Sequence, residues 1–350
     1  MTFGGPLSRE STIANILQTN EALLDLYTRK EEYNPVRLDE HQRFYCSSEQ
    51  KKNMLEPKVS KFLLMNGVNY SWPDEKKFAL CLTHDIDHIS PSWKYRGYTS
   101  LKMASHFNLR KAFDRFFNKE NPYWNFKKIM ALEKTYGATS SFYVMVDGSN
   151  YDIEKLSDEL PSIVDLGHEV GLHGGYYTYN DADIMVHEKK KLEEVVGRNV
   201  VGYRNHYLRF KVPDTWVSLR TAGFQYDTTF GYADTIGFRN GMCHPFKPFN
   251  LHENKEIDIL EIPLTLMDVT LFKYMGLDFE KSWNLCKKII DDVEALNGVA
   301  TLIWHNESFD PLYRNEWRKL YMKILKYGYE KNAWMTSGKE IYNWWTRTVG

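Results

Sequence analysis

The stretch FALCLTHDIDH, residues 78–88, passes from five apolar residues to two histidines and two aspartates within its last five positions. An apolar run ending in titratable groups fits a buried parallel strand whose C-terminal end opens on a site. Burying four such groups costs free energy unless partners compensate them. Asp85 and Asp87 are two residues apart, so they face one side of an extended strand, while His84 faces the other. Two adjacent carboxylates resist joint ionisation, and a divalent cation resolves this by taking one as ligand and leaving the other as a base for water. By itself an Asp-x-Asp pair at a strand end is more often a turn or a helix cap than a metal site. Partners elsewhere in the chain decide between these readings.

Working outward, short β-type runs alternate with stretches of helical period from Phe78 onward. The strands are expected at 78–85, 138–146, 168–174, 199–205, 224–229, 257–266, 298–305 and 333–337. Helices are expected at 124–136, 153–166, 182–196, 213–222, 279–296 and 314–327. Glycine just past a helix end, in KTYGAT, RTAGFQYD and LNGVAT, adds C-cap chemistry in the right places. The fold class is therefore α/β, a (β/α) barrel of seven or eight strands over 76–350. An open doubly wound sheet is the alternative, but no GxGxxG follows the first strand. Residues 1–75 read as a mostly helical N-terminal extension, with a helix over 13–27 and no motif that carries chemistry.

Composition narrows the function. A net charge of −1 argues against a general nucleic-acid binder. The four cysteines, Cys46, Cys81, Cys243 and Cys286, have neither zinc-ribbon nor disulfide-framework spacing. The opening MTFGGPLSRE lacks the pattern of a secretory leader, and no apolar stretch approaches the ~18 residues of a membrane span. A cytoplasmic location is the expectation. Aromatic residues make up 15% of the chain, and aromatic rings both fill cores and stack on sugars. The long connection 230–255 carries Phe230, Tyr232, Phe238 and Phe246, which are expected to form such a stacking surface.

In a β/α barrel, side chains at the C-terminal strand ends converge on one pocket. The expected strands end in Asp85 and Asp87, in His173, in Arg204 and His206, in Asp227 and in His305. Polar residues thus gather where the fold would bring them together, which strengthens the metal reading of the Asp-x-Asp pair.

At these positions the chain resembles the polysaccharide deacetylases of carbohydrate esterase family 4. LTHDIDH, GHEVGLHGG, GYRNHY, FQYDTTFG and LIWHN follow the order and approximate spacing of the five family motifs across 78–345. The resemblance implies Asp85 as catalytic base and Asp87 as ligand to a divalent metal, commonly zinc. The second family motif is His-x-x-x-His, which makes His173 a ligand but leaves Tyr177 where the next histidine belongs. His168 lies on the opposite face of the strand and reads as structural. The third motif, normally Arg-Pro-Pro-Tyr, is here Arg204-Asn205-His206-Tyr207. By resemblance Arg204 orients Asp85, and the backbone N–H of Tyr207 helps hold an oxyanion. His206 then becomes the candidate for the missing ligand, with His88 a rival and a pocket-lining role the alternative. Asp87, His173 and His206 with one open position suit catalytic zinc. His305 matches the general acid of the last motif, and Asp227 matches an aspartate that supports the catalytic histidine or arginine.

The reaction implied is metal-assisted hydrolysis of an N-acetyl group on an amino-sugar-containing substrate. A metal-independent hydrolase of cyclic amides from the same superfamily is one alternative. A catalytically inactive sugar-binding barrel is the other.

Overall fold

The computed structural model describes residues 12–105, 108–117, 121–148 and 151–349; the opening residues read for a leader lie outside them. Its strands are β1 (Ala79–Ile86), β2 (Ser141–Val144), β3 (Glu169–Gly174), β4 (Gly202–Asn205), β5 (Tyr226–Asp227), β6 (Phe249–Asn250), β7 (Lys255–Glu256), β8 (Leu260–Glu261), β9 (Leu264–Met267), β10 (Val299–Ile303) and β11 (Trp334–Thr336). β6 and β7 form a small antiparallel hairpin, and the other nine make one parallel sheet. Its hydrogen bonding runs β8-β5-β4-β3-β2-β1-β10-β9.

The two ends of that path, β8 and β9, are separated by only Ile262 and Pro263. The run expected as one strand over 257–266 is two short strands that pair at opposite ends of the sheet and so close it. Pro263 has no N–H to continue a ladder. On either side of it, the Ile262 N–H donates to Asp227 O (2.9 Å) and the Leu264 N–H to Phe230 O (3.3 Å). β11 pairs with Ala79–Cys81 of β1 alone, while β2 pairs with its other half, Thr83–Ile86. The barrel therefore has seven strands, counting β8 and β9 as one, plus β11 as a partial eighth at the base.

Every residue of β1 is buried, as a parallel strand covered on both faces requires. Tyr143 and Tyr226 meet inside the barrel, their hydroxyls 3.1 Å apart, and Tyr203 is buried on the outer face of the sheet against Phe224. A Cβ at Gly174 would collide with the Tyr203 ring, and one at Gly202 with Tyr226, so these glycines make room for large rings. Helix ends follow the expected chemistry at Gly137 and Gly223, both with positive φ. In LNGVAT the left-handed residue is instead Asn297 (φ 53°). Gly298 is there because a Cβ would strike Cys243.

The expected helix over 13–27 is two shorter ones, Ile13–Leu17 and Glu21–Thr28, each capped by a polar side chain, Thr12 and Asn20. Two helices not anticipated from the sequence, Trp93–Ser105 and Leu109–Phe116, lie between β1 and β2. Residues 12–75 pack on the segment that follows β5. Tyr27 Oη donates to Lys247 O (2.8 Å), and the N–H groups of Val59 and Ser60 both reach Gly241 O. Glu32 is buried between Arg29 and Arg239 and accepts from Tyr232 Oη (2.9 Å). A bridge between Leu38 and Phe44 folds residues 38–44 back over the C-terminal mouth of the barrel.

That packing explains a correction. Phe230, Tyr232, Phe238 and Phe246 are all buried and do not line the main cavity. Phe230 stacks edge-on with Phe210 (5.3 Å) and Phe246 (6.4 Å), and Arg239 lies over its face (4.4 Å). The hydrophobic effect claims these rings for the core, so they form no sugar platform.

Candidate metal and catalytic centre

Asp85, Asp87, His88, His173, Asn205, His206, Tyr207 and His305 line one cavity of about 320 Å³ at the C-terminal ends of β1, β3, β4 and β10. The convergence expected from the strand ends is thus present for all of the candidate residues except Asp227 and the fully buried Arg204, which sits just beneath the cavity floor.

Three ligand-type atoms form a tight triangle. His173 Nε2 lies 3.1 Å from Asp87 Oδ1 and 3.2 Å from His206 Nδ1, and His206 Nδ1 lies 3.5 Å from Asp87 Oδ1. The 3.1 Å approach lacks hydrogen-bond alignment, and Asp87 Oδ1 is buried with no hydrogen-bond partner. Tetrahedral zinc with bonds of about 2.0–2.1 Å sets its ligand atoms roughly 3.3–3.4 Å apart. The residues present therefore fit a divalent ion. His173 Nδ1 faces the Arg204 carbonyl at 3.1 Å, an arrangement that fixes the tautomer and leaves Nε2 for a metal. Burial would raise the Asp87 carboxyl, but the two imidazoles outweigh it and hold the group well below the usual carboxylate range. Burial alone would lower His173, yet Asp85 and Asp87 raise it.

Among the described residues this is the one group of three or more such side chains with metal-holding proximity. His88 lines the same cavity without joining it. Tyr177, where the family motif has histidine, is 77% exposed and packs edge-on with Tyr176. His206 is in position because β4 ends at Asn205 and the chain then turns left-handed at Tyr207 (φ 60°) and Leu208 (φ 53°). Two such non-glycine residues in a row cost on the order of 1–2 kcal/mol each, strain of the kind found at functional sites.

Asp85 is buried beside the triangle, with Oδ2 at 3.9 Å from His173 Nε2 and Oδ1 at 3.8 Å from the Arg204 guanidinium. Arg204 is fixed from behind by donating to Thr228 Oγ1 (2.9 Å) and Thr83 Oγ1 (3.0 Å). Asp85 Oδ1, on the Arg204 side, is buried with no hydrogen bond, and Oδ2 is the oxygen turned toward His173 and the triangle.

Across the cavity, His305 Nε2 stands 3.8 Å from Asp87 Oδ2. Its Nδ1 contacts Asp268 Oδ1 at 2.7 Å, and its backbone N–H donates to Asp268 Oδ2 (2.9 Å). Burial would lower this imidazole, but Asp268 first, then Asp87 and Asp85, push it up to about 10. These carboxylates bias His305 toward its protonated form.

Asp227, expected to support the catalytic histidine or arginine, has no contact with His305, while burial raises its carboxyl and the Arg204 charge acts to lower it. Its carboxylate accepts from the Thr229 N–H (3.0 Å) and Thr229 Oγ1 (2.6 Å), deep beside Glu261. Burial raises both carboxyls, Glu261 well above its usual range. The carboxylate that contacts His305 is Asp268, which the sequence reading missed because the expected strand stopped two residues short of it. A carboxylate directly beyond a barrel strand was the available signal. His84 and His168, in contrast, are bound into a buried polar cluster around Glu133 and take no part in the cavity.

The remaining wall is mixed. Leu208, Ala233, Met267 and Val269 form an apolar side, and Tyr207, Tyr274 and Trp317 supply aromatic surface. Arg43, from the N-terminal segment, reaches the cavity and donates to Tyr207 O (2.8 Å). Nothing in the sequence of residues 1–75 pointed to that contact.

No family model matches the sequence, and no curated protein matches it. Solved structures do. Two provisionally described as polysaccharide deacetylases superpose with TM-scores of 0.53 (Mycobacterium smegmatis) and 0.55 (Pseudomonas aeruginosa PAO1). The first is 18% identical and the match covers 79% of this chain and 92% of that one. The second is 15% identical, covering 81% and 97%. This chain has the polysaccharide-deacetylase fold. The allantoinase Puue shares it, with a TM-score of 0.55 at 17% identity over 82% of this chain and 97% of its own.

Proposed function

We propose that the protein is a metal-dependent amide hydrolase that removes an N-acetyl group from an amino-sugar-containing substrate. The observation that carries this reading is the triangle of Asp87 Oδ1, His173 Nε2 and His206 Nδ1 set between the buried carboxylate of Asp85, which faces Arg204, and the imidazole of His305, which is held by Asp268. Asp87, His173 and His206 would hold a divalent ion, which supplies Lewis-acid polarisation and a lower water pKa. Asp85, steadied by Arg204, takes the proton of the attacking water. The tetrahedral oxyanion forms beside the left-handed turn at Tyr207, whose backbone N–H is the family's donor there. His305 gives its proton to the departing amine, and Asp268 stabilises the imidazolium and fixes its ring. The acetyl methyl fits the apolar side made by Leu208, Met267 and Val269, and Trp317 and Tyr274 offer faces to a sugar ring.

The test is release of acetate from a panel of N-acetylated amino sugars by zinc-loaded protein, with a cyclic amide in the same panel. Acetate and free amine should appear together and stop when the metal is chelated. Release that ignores the chelator, or hydrolysis of the cyclic amide alone, contradicts the reading.

A further inference from the structure

The helices Trp93–Ser105 and Leu109–Phe116 carry an apolar surface that the barrel does not bury. Trp93, Leu101, Leu109, Phe113, Phe116 and Phe117 are between 52% and 74% exposed. In the second helix, Leu109, Phe113 and Phe116 recur at helical spacing and line one face, while Ala112 and Arg115 face inward. A soluble monomer seldom gathers this many large apolar side chains in the open.

The charges around this surface are one-sided. Residues 93–117 contain six basic residues and one acidic one, in a chain whose net charge is −1. Arg115 is turned inward to a buried ion pair with Asp310. That leaves Lys94, Lys102, Arg110 and Lys111 exposed, with Arg96 half-buried, against the single carboxylate of Asp114. Exposed Trp, Leu and Phe flanked by Lys and Arg is the make-up of a helix that lies in a bilayer interface and is attracted to anionic headgroups.

The location adds to the case. Trp93 follows the cavity-lining His88 by five residues. Asp310, the partner of Arg115, also accepts the backbone N–H of Arg314 (3.0 Å), another cavity residue. Tyr98 packs against Tyr313 on the same rim (6.1 Å).

We propose that this helical hairpin seats the protein on an anionic lipid bilayer, with the cavity mouth held next to the membrane surface. No helix among the described residues is long and apolar enough to cross a membrane, so attachment is to the surface. The inference stands apart from the hydrolase reading, because attachment requires no turnover.

The experiment is flotation of the full chain with phosphatidylcholine vesicles, with and without phosphatidylglycerol. The protein should float with the anionic vesicles and bind less as salt is raised. A Leu109→Ser/Phe113→Ser variant should bind at least about tenfold more weakly while keeping its thermal unfolding temperature. Should that variant fold poorly, Lys94→Glu/Lys111→Glu gives the same readout at exposed charged positions. Absence of wild-type binding, or equal binding by the variants, overturns the proposal. So does a concentration-dependent oligomer that the serine variant disperses without any vesicle binding, which would make the face a protein interface.

Discussion

His206 Nδ1 lies 3.2 Å from His173 Nε2 and, with Asp87 Oδ1, completes a triangle of the size that the ligand atoms of one tetrahedral cation would form. Replacing His206 by Ala should lower zinc affinity at least about 100-fold, since loss of one of three ligands exceeds the 10–100-fold cost of losing an outer-shell partner. Equilibrium dialysis against a competing chelator measures it. Affinity within a few-fold of wild type would leave His206 a lining residue only.

The carboxylate of Asp85 is the expected base. Asp85→Asn should retain zinc and lose turnover by about 10²–10⁴-fold, the range of a general base. Metal content and acetate release on the same preparation separate the two effects, and loss of both together would make Asp85 a ligand.

Asp268 sets the protonation of His305. In the wild type the imidazole is pushed up to about 10, so the acid form persists to high pH and is lost only as pH rises through that value. Asp268→Asn removes the largest raising influence, so the alkaline limb of kcat/KM should move down by two units or more, toward the ordinary value of ~6.5. An unmoved limb would show that another group carries the proton.

The N-terminal segment is tied to the barrel by charge. Burial would raise Glu32, but Arg239 and Arg29 outweigh it and bring its carboxyl down to about 2. A depressed carboxyl contributes stability that is complete above its unfolded pKa near 4.5 and is lost as pH falls toward 2. The shift corresponds to about 3 kcal/mol. Glu32→Gln should cost about 3–5 kcal/mol at pH 7, because two buried guanidinium groups lose their counter-ion. Denaturant titration at pH 7 and pH 3 should find the variant closer to wild type at the lower pH.

How much of this was legible follows from which forces act locally. The strand ends bearing Asp85, Asp87, His173, His206 and His305 could be read because parallel strands advertise themselves as apolar runs and the barrel topology fixes where they point. The break at Pro263 was also written in the sequence, but the β-type pattern of IDILEIPLTL, residues 257–266, reads across it as one strand. Asp268 was lost with that boundary, since strand ends are the least certain part of a pattern reading. Arg43 and the burial of Phe230, Tyr232, Phe238 and Phe246 depend on how residues 12–75 fold back over the segment after β5. Such long-range packing leaves no local period to read.

The most direct measurement is X-ray absorption on the zinc-loaded protein, which counts the imidazoles around the ion. Two imidazoles and one or two oxygen ligands at about 2.0–2.1 Å are expected, with one imidazole lost in His206→Ala. A wild-type centre with a single imidazole, or no ion retained after buffer exchange, would contradict the Asp87-His173-His206 site.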